Sequence, residues 1–106
     1  MWDAFEKALA RYRELEAQLA DPVVINDRAR FTQTAKEHGA TAKLVKPYLE
    51  YRQVSDDIRH TEDIVANETD PEMHLYAEEE LAVKRAQQRA LQTRLEDLLL
   101  VDPGED

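Results

Sequence analysis

The chain has 106 residues, enough for one domain at most, with 42% hydrophobic and 35% charged residues. So high a charged fraction suits long helices with much exposed surface, and two glycines and four prolines give too few turns for an all-β fold. The net charge of −9 argues against direct nucleic-acid binding, and the absence of cysteine excludes a disulfide scaffold and a thiolate metal site.

The first predicted helix spans residues 3–20, because apolar residues recur there in steps of three and four, the period of one helical face. These residues are Phe5, Leu9, Tyr12, Leu15 and Leu19. Asp3 is the candidate N-cap, and Asp21-Pro22 ends the helix because a residue before proline is driven out of the α region. We expect the short apolar segment 23–25 to pack against the helices rather than to form a strand.

A second helix is predicted over residues 28–66, with Asn26 or Asp27 as its N-cap. Its periodic face consists of Phe31, Ala35, His38, Ala42, Leu44, Tyr48, Tyr51, Ser55, Ile58 and Val65. Gly39 and Pro47 fall inside this helix, and a proline removes one backbone hydrogen bond and clashes with the preceding turn. We therefore expect a kink or break near residues 39–47.

A turn precedes the third helix, which is predicted over residues 71–100. Asp70 as N-cap and Pro71 as first residue define its start, although Thr69 with Glu72 also fits a capping box that would shift the start by one residue. Its seam is predicted at Met73, Ala77, Leu81, Lys84, Gln88, Leu91, Leu95 and Leu98. Lys84 and Gln88 interrupt the apolar rhythm, which weakens packing but helps to fix the register.

These elements predict an all-α fold. Each long helix has one apolar stripe that cannot be buried alone, and a short turn joins the two helices. The economical solution is an antiparallel helical hairpin of long, coiled-coil-like helices, with the shorter N-terminal helix packed on it. Residues 1–106 are predicted to form a single helical domain.

No residue pattern in the chain predicts catalysis. The histidines, His38, His60 and His74, lack the spacing of metal ligands, and Ser55, the one serine, lies in the middle of a helix. Carboxylates on exposed helix faces are solvated charges rather than tuned acids, since a catalytic carboxylate needs burial. We therefore predict no catalytic, cofactor or metal residue, and no enzymatic activity for this chain.

Aromatic residues are the candidates for contact with a partner, because tyrosine is enriched at interface hot spots. For Tyr48 and Tyr51 the sequence favours a role in filling gaps between helices. Tyr76 lies off the main seam, so a partner contact and a packing role are equally supported. Trp2 either packs onto Phe5 or Glu6 or forms an exposed contact.

Several short segments follow one another in a particular order. This order is more diagnostic of a protein family than any single segment. They are Arg11-Tyr12-Arg13-Glu14-Leu15-Glu16, Leu19-Ala20-Asp21-Pro22-Val23-Val24-Ile25, Arg30-Phe31, Ala35-Lys36-Glu37, Tyr48-Leu49-Glu50-Tyr51, Asp70-Pro71-Glu72-Met73, Ala77-Glu78-Glu79-Glu80-Leu81, Leu98-Leu99-Leu100 and Asp102-Pro103. In this order and spacing the chain resembles the N-terminal part of bacterial class-one peptide chain release factors. It departs from them at Gly39, Pro47 and Lys43, the last of which replaces a proline usual in the family.

The resemblance implies the N-terminal domain of a larger, cytoplasmic release factor that directs stop-codon-dependent release of the nascent peptide on the ribosome. The family's proline-x-threonine-type tripeptide and its glycine-glycine-glutamine loop are both absent from these residues, so the fragment is expected to be non-catalytic. The resemblance also implies two partners, the stalk-base region of the large ribosomal subunit and the GTPase release factor. Glu96 and Asp97 at the end of the third helix, followed by the acidic tail 102–106, oppose the helix dipole, so either that end frays or the native chain continues. The resemblance favours the second reading.

A second hypothesis is a free-standing structural coiled-coil protein. It would dimerise by burying Leu81, Leu91, Leu95 and Leu98 between two chains. A helical arm of a tRNA synthetase is less favoured, since such arms usually have more basic faces. No segment approaches the ~20 apolar residues needed to span a bilayer, and we expect a soluble protein.

Overall fold

The computed structural model describes residues 2–100, and within that range every regular element is an α-helix. The helices are α1 (Trp2–Leu19), α2 (Pro22–Ile25), α3 (Arg28–Asn67) and α4 (Pro71–Leu100). The predicted all-α class is confirmed. The acidic tail at 102–106 and the Asp102-Pro103 pair lie outside the described residues.

The contacts of the chain divide into two compact units, and the division falls between Lys46 and Pro47, inside α3. The first unit contains α1, α2 and residues 28–46 of α3. The second contains residues 47–67 of α3 together with α4. This division into contact units does not test the prediction that residues 1–106 form one domain, which therefore stays a prediction.

In the first unit, α1 buries the apolar face that the sequence predicts. Phe5, Leu9 and Leu15 are at most 3% exposed. The helix begins at Trp2, so the prediction of Asp3 as N-cap is wrong; Asp3 instead lies in the first turn, where a carboxylate suits the helix dipole. The ring of Trp2 lies 6.1 Å from that of Phe5, a contact distance for an aromatic pair.

The segment after α1 forms the one-turn helix α2. The Asp21 carboxylate accepts a hydrogen bond from the Val23 backbone N–H at 3.0 Å, and Pro22 is the first helical residue. Val24 is fully buried, whereas Val23 and Ile25 are exposed. The segment therefore packs through one side chain, as a turn of helix rather than a strand.

Two contacts attach α1 to the first part of α3. The Arg11 guanidinium donates two hydrogen bonds to the Glu37 carboxylate, from Nε at 2.6 Å and from an Nη at 2.9 Å. One residue further along each helix, the Tyr12 ring stacks on His38 with centroids 4.4 Å apart. The predicted packing of the shorter helix is thus present at this turn of α3.

The long helix α3 is continuous from Arg28 to Asn67. Of its two candidate caps Asp27 is the one used, since its carboxylate accepts a hydrogen bond from the Arg30 N–H at 3.1 Å. The helix passes through Gly39 and Pro47, so a break at 39–47 is not present, while a kink stays a prediction. Pro47 is buried, so packing contacts accompany the lost backbone hydrogen bond within this continuous helix.

In the second unit, α4 runs antiparallel to residues 47–67 of α3, which confirms the predicted hairpin. Gln88 donates a hydrogen bond to the Ser55 hydroxyl at 3.0 Å, and Arg85 donates one to Glu62 at 2.9 Å. The ammonium of Lys84 lies 3.8 Å from the Asp57 carboxylate. The two polar residues that interrupt the predicted seam therefore reach across to α3, where they fix the register of the two helices.

The seam of α4 is buried within the chain itself over most of its length. Ala77, Leu81, Leu91 and Leu95 are at most 9% exposed, and Leu98 is half-buried. The inclusion of Met73 in this seam is wrong, because its side chain is 54% exposed. It stands near the end of the hairpin, where α3 finishes in the short side chains of Ala66 and Asn67. The helix starts at Pro71, with Asp70 accepting from the Met73 N–H at 3.4 Å, as the first of the two predicted starts requires.

Replacing Leu95 with alanine should strongly destabilise the chain. Leu95 is fully buried, and a Leu→Ala change in a packed core costs about 2–5 kcal/mol in free energy of unfolding. The matched control is Leu75→Ala, because Leu75 is 57% exposed and its loss should change the value by less than about 0.5 kcal/mol. Urea denaturation followed by circular dichroism measures both; equal effects would contradict the described core.

Replacing Gly39 with alanine should stabilise the chain by about 0.5–1 kcal/mol, the usual helix-interior difference between the two residues. The backbone of Gly39 is helical with no positive φ, and an added Cβ meets no atom within 4 Å. The reverse change at the neighbouring exposed position, Ala40→Gly, should destabilise by a similar amount. Thermal unfolding checks the pair, and a lower midpoint for Gly39→Ala would show that the glycine is needed for another reason.

Candidate interaction surfaces

His38 and His74 make separate local contacts. His38 stacks on Tyr12, and its Nε2 is buried at 3.8 Å from the nearest Glu16 oxygen. His74 Nδ1 lies 2.7 Å from Glu78 on the next turn of α4, and His60 is exposed. Within residues 2–100, no three His, Cys, Asp or Glu side chains come together in a group that could hold a metal ion.

The three tyrosines considered as partner contacts differ in exposure. Tyr48 is 5% exposed, and the Arg52 guanidinium lies 5.9 Å from its ring centroid. Tyr51 is half-buried, so both residues behave as packing residues, as the sequence favours. Tyr76 is 66% exposed on the outer side of α4. Tyr76 is therefore the tyrosine of this group that is available to a partner.

The Arg11–Glu37 pair is the electrostatic feature that sequence periodicity did not reveal. Its members lie 26 residues apart and each belongs to a segment that resembles the release-factor family, yet no spacing rule links them. Hydrogen bonds from Arg11 lower the pKa of the Glu37 carboxyl below its usual value, against a smaller opposing effect of burial. Hydrogen bonds to Glu37, and then to Glu14, raise the pKa of the Arg11 guanidinium.

Charge is segregated along the hairpin. Residues 60–83, which include the turn, contain eight Asp or Glu residues and no Lys or Arg. Residues 84–94 of α4 contain four basic residues and no acidic one. The turn end of the hairpin is therefore strongly acidic, and the middle of α4 is basic.

Apolar side chains are exposed at the same acidic end. On α4, Met73, Leu75, Tyr76 and Val83 are between 54% and 66% exposed. Such residues are common singly, but here they gather within eleven positions of one helix. In the first unit a smaller group is formed by Val23, Ile25 and Phe31, which are 67%, 50% and 38% exposed.

A groove of about 440 Å³ lies between α3 and α4 near the turn, and we call it the tip groove. It is lined by Glu62, Val65, Ala66, Glu78, Leu81, Ala82 and Arg85. The floor is apolar and the rim is charged, with the Arg85–Glu62 ion pair at one end. The sequence gives no sign of this groove, because it depends on which small residues of two helices lie opposite one another.

A second groove of about 270 Å³ follows one face of α3 in the second unit. It is lined by Tyr48, Tyr51, Arg52, Ser55, Asp56 and Arg59. Its charges are largely internal to the groove, since Arg59 forms an ion pair with Asp56 and Arg52 lies over the Tyr48 ring. In the described part of the chain, no helix has the length and apolar composition required to cross a membrane.

Residues 8–106, which include most of the first unit and all of the second, match the PCRF domain. The chain belongs to the PCRF domain family. This PCRF domain is similar to proteins named Peptide chain release factor 1 from three bacteria. It is 36% identical to that of Lachnoclostridium phytofermentans over 99% of the chain and 30% of the relative, and 36% identical to that of Enterococcus faecalis over 100% and 30%. For Geotalea uraniireducens the identity is 37%, over 100% of the chain and 29% of the relative.

The PCRF domain spans about three-tenths of the length of these relatives. Within the resembled family, Tyr48-Leu49-Glu50-Tyr51 and the triple leucine at 98–100 favour release factor 1, and all three relatives carry that name. No solved structure matches the chain.

Acid should disrupt the Arg11–Glu37 contact only at a pH below the usual range of a glutamate carboxyl, because Arg11 lowers the pKa of Glu37 in the folded chain. Because the folded-state pKa of Glu37 is lowered, its contribution to stability is complete above the unfolded-state pKa of about 4.3 and is lost as pH falls through the folded-state value. The variant Glu37→Gln should therefore be less stable than the parent chain near neutral pH. The difference should shrink toward zero in strong acid.

The matched control is Glu79→Gln, which removes an exposed carboxylate of α4. Urea denaturation of the three chains at a series of pH values provides the comparison. A Glu37→Gln difference that stays constant from neutral to acidic pH would show that the pair adds no pH-dependent stability.

Proposed function

We propose that this PCRF domain is the N-terminal interaction domain of a translation termination factor, one that directs stop-codon-dependent release of the nascent peptide on the ribosome. The observation that carries the proposal is the match of residues 8–106 to the PCRF domain, together with 36% identity over nearly the whole chain to proteins named Peptide chain release factor 1. The chain spans only 30% of that relative's length, and the proposal assigns the peptide-release chemistry to the other part of such a protein.

The domain's part in termination is contact rather than catalysis. Ser55 accepts a hydrogen bond from Gln88 inside the hairpin and has no histidine beside it among the described contacts. The Glu37 carboxylate is held as an anion by Arg11, which is the opposite of the raised pKa that a general acid requires. These features support a non-catalytic domain whose outer surface meets other molecules.

The partners we propose are the stalk-base region of the large ribosomal subunit and the GTPase release factor, in the cytoplasm. Ribosomal RNA is disfavoured as the direct contact of the hairpin's turn end, where eight carboxylates would repel phosphates. A protein component of the stalk base is favoured instead.

The alternative, a free-standing coiled-coil dimer, loses the feature that motivated it. Leu81, Leu91 and Leu95 are already buried between helices of one chain. A dimer built on the same stripe would have to open the hairpin and separate pairs such as Gln88–Ser55. No other observation favours it.

The proposal predicts that the 106-residue chain binds bacterial ribosomes but releases no peptide from them. Binding is measured by co-sedimentation with ribosomes, and release by hydrolysis of labelled peptidyl-tRNA on a stop codon. A matched control is the same experiment with a helical protein of similar size and net charge. Stop-codon-dependent release by the chain alone would contradict the non-catalytic role, and co-sedimentation no greater than the control's would contradict the interaction role.

A further inference from the structure

The tip groove combines an apolar floor with a surrounding charge that is predominantly negative. Leu81 is nearly buried at its base, Val65 is half-buried, and Ala66 and Ala82 are exposed. Because the alanines are small, the two helices leave space of about 440 Å³ above them. A groove of this volume can hold large apolar side chains of a partner molecule.

Leu75 extends the apolar lining toward the turn. It precedes Glu78 by three residues and Ala82 by seven, and residues at these spacings share one face of a helix. Its side chain is 57% exposed, so it can contact an occupant of the groove. Groove and leucine together form an apolar strip along the face of a two-helix hairpin, which is the shape that receives a third helix.

The charges around this strip select the occupant. Glu62 and Glu78 stand at the groove, and the surrounding segment 60–83 contains eight carboxylates with no Lys or Arg. Arg85 and Glu62 compensate each other in an ion pair, so the net negative charge around the groove comes from Glu78 and the other carboxylates of segment 60–83. An acidic helix or a nucleic acid would be repelled here, whereas Lys and Arg flanking an apolar anchor would be attracted.

We infer that the tip groove binds a basic amphipathic helix of a partner protein, which inserts aliphatic side chains over Ala66 and Ala82 and places Lys or Arg beside Glu78 and the other carboxylates of segment 60–83. This inference goes beyond the proposed function, since it specifies partner chemistry and holds whether or not the chain acts in translation termination. The apolar strip supplies binding energy, and the carboxylates supply orientation and selectivity.

The test uses the 106-residue chain and a fluorescein-labelled helical peptide made only of leucine and lysine at amphipathic spacing. Binding is followed by fluorescence anisotropy, and the site is located from amide shifts in heteronuclear NMR spectra. We expect saturable binding with shifts concentrated at 62–66 and 75–85. Higher salt should weaken the binding without abolishing it, since the leucines contribute a part that salt does not screen.

Two variants separate the groove from general acidity. Ala82→Arg fills the groove and adds a like charge, and should weaken binding about tenfold or more, which corresponds to roughly 1.4 kcal/mol. Ala90→Arg adds the same charge at an exposed position outside the groove, and should have a much smaller effect. Leu75→Ser provides a second test at an exposed site that folding does not need, and it should also weaken binding.

Three control ligands make the outcome decisive. They are a lysine peptide without leucine, the amphipathic peptide with glutamate in place of lysine, and a single-stranded RNA. We expect each of them to bind far more weakly than the leucine–lysine peptide. Equal binding by the leucine-free peptide, equal effects of Ala82→Arg and Ala90→Arg, or preference for RNA would each overturn the inference.

Discussion

Burial of a single narrow apolar stripe is the constraint on which the second unit depends. The stripe of α4, with Leu81, Leu91 and Leu95, cannot leave water unless the chain folds back on α3. A turn must therefore follow Asn67, and the Asp70 cap and Pro71 provide a clean start for the returning helix. Hydrophobic contact alone would allow the helices to slide by a turn. Gln88 and Lys84 reduce that freedom, because only one register brings them to Ser55 and Asp57.

In the first unit, polar and aromatic contacts contribute together with apolar burial to the packing of α1 on α3. A helix as short as α1 has little apolar surface, and its contact with α3 includes a bidentate ion pair and a stacked Tyr12–His38 pair beside the buried Phe5, Leu9 and Leu15. In both units the buried apolar side chains form the internal contacts between helices, while other apolar side chains stay exposed. The outer surface of the described residues combines many charges with exposed apolar side chains such as Val23, Leu75 and Tyr76.

Periodicity was sufficient to predict the long helices and the hairpin, because each long helix has one apolar stripe and a capping residue at its start, Asp27 for α3 and Asp70 for α4. Periodicity failed where the burial or the contacts of a residue depended on residues far away in the sequence. Met73 keeps the rhythm of the seam but stands where α3 has ended in short side chains. Pro47 would be expected to end a helix, yet α3 continues through it with the proline buried. The Arg11–Glu37 pair and the tip groove were invisible for the same reason, since each is a meeting of residues that no sequence spacing connects.

The separation of acidic residues 60–83 from basic residues 84–94 has a consequence that does not require contact. It gives the hairpin an electric dipole moment along α4, with its negative pole at the turn. A charged molecule approaching within a Debye length, about 8 Å at physiological ionic strength, would exert a torque on that dipole and rotate the hairpin before the surfaces meet. Orientation would then be partly settled during diffusion, and the fraction of productive collisions would rise as salt is lowered.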